Sequence, residues 1–62
     1  MNIVVMPGSN EVEKEATAIF GSNRVKAGTW REPVAIGELN EDEVAFAQEY
    51  FGDMGKKVHL IS

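Results

Sequence analysis

The chain has 62 residues, with 10 Asp and Glu against 6 Lys and Arg, a formal charge of −4, and 44% hydrophobic residues. A chain of this length makes one domain and hides only about 60% of the surface its unfolded form exposes, while its apolar share is too high for a disordered tail. It has no cysteine, which removes disulfides, thiolate metal sites, cysteine nucleophiles and iron–sulfur clusters.

Ile3-Val4-Val5-Met6 is a short β-branched and apolar run and reads as a strand over 2–6. It is too short for a secretory leader and nothing nears a membrane span, so the expected location is soluble and cytoplasmic. Pro7-Gly8-Ser9 breaks the strand. Asn10 with Glu13 has capping-box spacing, so a helix is expected over 11–20. Val12, Ala16, Ile19 and Phe20 share one face of it, and Gly21 stops it.

Arg24 to Trp30 alternates, with Val25, Ala27 and Thr29 on one side and Arg24, Lys26 and Trp30 on the other. That period of two predicts a strand over 25–30. Arg31-Glu32-Pro33 reads as a turn and Val34 to Leu39 as the return strand of a hairpin, weakened by Gly37. Asn40 with Glu43 repeats the capping spacing and opens a second helix over 41–54. Val44, Ala47, Phe51 and Met54 form its central stripe, which Phe46 and Tyr50 widen to an arc of about 160°. Gly52 or Gly55 ends that helix, and 57–61 closes the chain as a strand.

The order strand, Asn-Glu-x-Glu, helix, Phe-Gly, base, strand occurs twice. It predicts an α+β fold, a small ferredoxin-like β-α-β-β-α-β with both helices on one face of a three- or four-stranded, mostly antiparallel sheet. The alternatives are a three-stranded β-α-β-α-β order and a β-α-β-β-α order with a frayed end. In the first arrangement Ile3, Val5, Val25, Val58 and Leu60 face the helices. Val5, Ile19, Phe20, Val44, Ala47, Phe51 and Leu60 are the expected core. The opposite face then carries Val4, Met6, Arg24, Lys26, Trp30, Lys57, His59 and Ile61, unless the register slips by one. Eight of the 10 acids, Glu11, Glu13, Glu15, Glu41, Asp42, Glu43, Glu49 and Asp53, fall in the helices. Charge therefore segregates: acidic helices, and a sheet face both basic and apolar.

Such a face is the candidate contact surface for a protein partner, formed by Trp30, Arg24, Lys26, Met6, Val4, His59 and Ile61. The acidic helices would steer it toward a basic partner surface, and a homodimer through the sheet face is a second possibility. Gly8-Ser9-Asn10, between a strand and a helix start, is a weak anion site whose plainer reading is N-capping. Gly21-Ser22-Asn23 reads as a C-cap and turn. His59 is the one histidine, so no metal site and no cofactor are expected. Ser9, Ser22 and Ser62 lack a nucleophile-elbow context, and no catalytic set is visible. Net negative charge and a single ring at Trp30 disfavour nucleic acid. The expectation is a non-enzymatic adaptor or inhibitor of the kind a bacterium or phage encodes. The alternative is a small-molecule or nucleic-acid-binding module using the sheet face or the Gly8-Ser9-Asn10 loop.

Overall fold

The computed structural model describes residues 1–28 and 32–61. Seven elements follow in chain order: β1 (Ile3–Met6), α1 (Asn10–Phe20), a short 3₁₀ turn (Ser22–Arg24), β2 (Val25–Ala27), β3 (Val34–Ile36), α2 (Glu41–Asp53) and β4 (Lys57–Leu60). The four strands form one antiparallel sheet in the order β2-β3-β1-β4, and both helices pack on one face of it. The fold is the expected split β-α-β arrangement. The hairpin pairing on which it depends is present, with Val25 opposite Ile36, Lys26 opposite Ala35 and Ala27 opposite Val34.

Register decides which side chains meet. Ile3 and Val5 lie opposite Ile36 and Val34 on one side and Leu60 and Val58 on the other. Opposed residues project to the same face. Ile3, Val5, Val34 and Ile36 therefore meet Val12, Ala16, Phe20, Val44, Ala47 and Phe51 in one continuous core, which Leu39 joins.

Two expected core residues are exposed. Ile19 is 37% accessible because the buried stripe of α1 runs through Val12, Ala16 and Phe20 and leaves Ile19 at its margin. Leu60 is 55% accessible because β4 is an edge strand with a neighbour on one side only. Phe46, placed in the wide arc of α2, is 48% accessible.

The caps follow the expected chemistry with one shift. Ser9, not Asn10, caps α1: its hydroxyl accepts from the Val12 N–H at 3.1 Å, and Asn10 is already helical. A serine oxygen one residue earlier satisfies the same free donors, so both residues offered a start and the extended backbone of Ser9 took it. At α2 the Asn40–Glu43 capping box forms in both directions, at 2.8 and 3.0 Å. Gly21 (φ +92°) ends α1, and α2 ends at Asp53, just before Gly55 (φ +79°). β2 is described over Val25–Ala27, and the rest of the expected strand from Thr29 on, with Trp30 and Arg31, lies outside the described residues.

Candidate functional site

Alternation sends every second strand residue to the face away from the helices. One row crosses the whole sheet there: Lys26 on β2, Ala35 on β3, Val4 on β1 and His59 on β4. A second row pairs Met6 with Lys57. Val4, Met6 and Ala35 are half-buried, while Lys26, Lys57 and His59 are exposed. Among the described residues no helix or strand covers this face.

Beyond β4, Ile61 continues the pairing through its N–H to the Asn2 carbonyl at 2.9 Å and is 58% accessible. Two hollows extend the face at its ends. One of about 470 Å³ includes Asn2, Lys26, Ala35, Gly37, Glu38 and Ile61 in its lining. The other, about 540 Å³, is lined by Met6, Pro7, Pro33, Gly55 and Lys57.

Six of the seven residues expected at a partner surface are described, and the structure brings five of them to this face: Val4, Met6, Lys26, His59 and Ile61. Trp30 lies outside the described residues. Arg24 also lines the hollow of about 470 Å³ at the Ile61 end. Its guanidinium turns to the helix layer, where Nε donates to the Phe20 carbonyl at 2.9 Å and Nη1 meets the Glu43 carboxylate at 3.0 Å. The charge also sits 5.8 Å from the centre of the Phe20 ring. The 3₁₀ turn before β2 breaks the alternation that placed Arg24 beside Lys26, and an unmet helix C-terminus with an acid beyond it captures the side chain. The Asn40 N–H and Arg24 together hold the Glu43 carboxyl below its ordinary range.

In the Gly8-Ser9-Asn10 segment Gly8 is buried, Ser9 half-buried and Asn10 exposed. A side chain at Gly8 would meet the Glu32 carbonyl oxygen at 1.8 Å. The Ser9 hydroxyl is engaged in the cap. The small hollow beside it, about 20 Å³, is bordered by Glu13 and Glu32, whose charges oppose an anion. No group of three or more His, Asp or Glu side chains is placed to hold a metal ion among the described residues.

Sequence reasoning missed two features. Ala35 completes the floor of the outer face, but the weakened strand around Gly37 gave it no distinguishing signal. On the helix side, Phe46 stacks on Tyr50 at 5.6 Å and meets Phe20 edge-on at 6.4 Å. The Tyr50 hydroxyl donates to the Glu15 carboxylate and ties α2 to α1, and this bond raises the phenol's pKa. These rings line the seam between the helices, with Phe20 buried and Phe46 left exposed.

No family model matches the chain, and no curated protein or solved structure matches it. No helix is long and apolar enough to cross a membrane among the described residues.

Proposed function

We propose that this protein is a non-enzymatic binding module, an adaptor or inhibitor that works by occupying a partner protein's surface with the outer face of its sheet. One observation carries the reading. Val4, Met6 and Ala35 form a half-buried apolar cluster on the two middle strands of a face that no described element covers, with exposed Ile61 at its margin beside Asn2 and His59 and with Lys26 and Lys57 at its borders. Contiguous apolar surface on a small domain is a mark of an interaction site. Two lysines and an exposed imidazole around an apolar centre have the layout of a protein interface, with a desolvated core and a polar rim. Occupying a surface needs no catalytic group, and the chain's chemistry agrees with that economy: one histidine, no cysteine, three serines outside any nucleophile context.

The test compares two pairs of exposed positions. His59→Asp with Ile61→Asp alters the outer face, and Ile19→Asp with Phe46→Asp alters the helix layer. Each full-length variant is immobilised and scored for the proteins it retains from the cells that make it, with melting as the check on fold. Loss of a retained protein by the first variant alone supports the reading. Loss by the second alone moves the contact to the helices and overturns it.

A further inference from the structure

We infer that the outer sheet face accepts an acidic amphipathic helix of a partner protein, laid along the strands over Ala35, Val4 and Met6, with its carboxylates on Lys26 and on Lys57 and His59. The inference rests on the binding-module reading and names the chemistry of the partner.

Three features of the face select this occupant. The first is width. The row from Lys26 to His59 spans four adjacent strands, about 14 Å from backbone to backbone. A helix with its side chains is about 10–12 Å across. It fits between the polar borders with its apolar stripe on the floor, as helices dock in grooves elsewhere.

The second is relief. Half-buried apolar side chains, Ala35, Val4 and Met6, occupy the middle strands, and the exposed polar side chains of Lys26, Lys57 and His59 occupy the edges. The hollows of about 470 and 540 Å³ prolong the depression at both ends.

The third is charge. Lys26 and Lys57 stand on this face with no carboxylate in either row, whereas eight of the 10 acids lie in the helical layer behind the sheet. Screening over about 8 Å at physiological salt makes the nearest charges decide a contact, so the face acts as a cationic surface on an acidic protein. Glu38 borders the hollow at the Ile61 end, which places the partner's acids toward the middle and the Lys57 end. A second copy packed face to face fits poorly, because it would gather Lys26 and Lys57 from both copies over one floor. Nucleic acid also fits poorly, because the chain's net charge of −4 opposes a phosphate backbone.

The experiment is an amide-shift titration of the full chain with two synthetic helical peptides of about four turns. Both carry a leucine stripe; one is flanked by glutamates and the other by lysines. The glutamate peptide should move the Val4, Lys26, Ala35 and His59 amides and bind at least ~10-fold more tightly than the lysine peptide, the worth of two or three partly screened charge pairs. Added salt should weaken it. Lys26→Glu with Lys57→Glu should invert the preference while the signals of the helix-side core stay in place. Equal binding of the two peptides, or binding of neither, overturns the inference. So do shifts centred on Phe46 and Tyr50, concentration-dependent self-association through the face, or outer-face shifts produced only by a single-stranded oligonucleotide. If the His59 and Ile61 variant loses a natural partner while neither peptide binds, the binding module stands and the acidic helix falls.

Discussion

Ile3 and Leu60 are direct cross-strand partners on the helix side of the sheet, yet Ile3 is fully buried and Leu60 is 55% accessible. The same face of one sheet thus has a sealed centre and an open margin. β1 lies between β3 and β4, beneath the helices, while β4 has a neighbour on one side only. Position across the sheet, more than hydrophobicity, sets what each residue contributes.

Truncating the two partners should therefore give unequal results. Ile3→Ala should cost about 2–5 kcal/mol, because it leaves a cavity in packed surroundings. Leu60→Ser should stay within about 0.5 kcal/mol of the parent, as exposed substitutions do. Urea melts of both variants check this, and equal losses would show that β4 is covered.

The two neighbouring rings of α2 should separate in the same way. Phe51 has no accessible surface and Phe46 is 48% accessible. Phe51→Ala should cost about 3–5 kcal/mol, most or all of the stability of a small domain. Phe46→Ala, which loses one stacked and one edge contact, should cost about 1 kcal/mol. Thermal melting reads the difference directly.

Two glycines should respond to alanine with opposite signs. At Gly8 the new Cβ would lie 1.8 Å from the Glu32 carbonyl oxygen and 2.8 Å from its carbon, so the backbone must part. A loss of about 1–3 kcal/mol is expected. At Gly52, inside α2, nothing lies within 4 Å. Gly52→Ala should add about 0.5–1 kcal/mol through lower backbone entropy and better helix propensity.

Acid should weaken the fold partly through Glu43. The Asn40 N–H and the Arg24 guanidinium lower its pKa from the ordinary 4.5, so the folded state favours the carboxylate. That stability is present above the unfolded pKa and is lost as pH falls through the folded one. Glu43→Gln should flatten the stability profile between about pH 5 and pH 3 relative to the parent. Unchanged slopes in urea melts across that range would contradict the role assigned to the capping box and its ion pair.

Most of the fold was legible because its signals are local. The β-branched run 3–6, the Asn40–Glu43 box and Gly21 each determine one element without help from the rest of the chain. The pairing of β2 with β3 followed from alternation and turn chemistry. What was not legible depends on neighbours that periodicity cannot see. Ile19 and Leu60 have core-like sequence contexts, but one sits at the margin of a helix stripe and the other at the edge of a sheet. Arg24 alternates with Val25 on paper, and only the 3₁₀ turn and the proximity of Glu43 draw its guanidinium to the helix layer. The outer-face row was readable for Lys26, Val4 and His59. Ala35 gained its place from register alone.

The central claim is that the outer sheet face is the contact surface, and photo-crosslinking tests it most directly. A photoreactive side chain is placed at Ala35 in one full-length variant and at Phe46 in another, and each is irradiated in the cells that make the protein. The account predicts a discrete protein adduct from position 35, lost when His59→Asp and Ile61→Asp are added, and none from position 46. An adduct from position 46 alone, with position 35 silent, would contradict it.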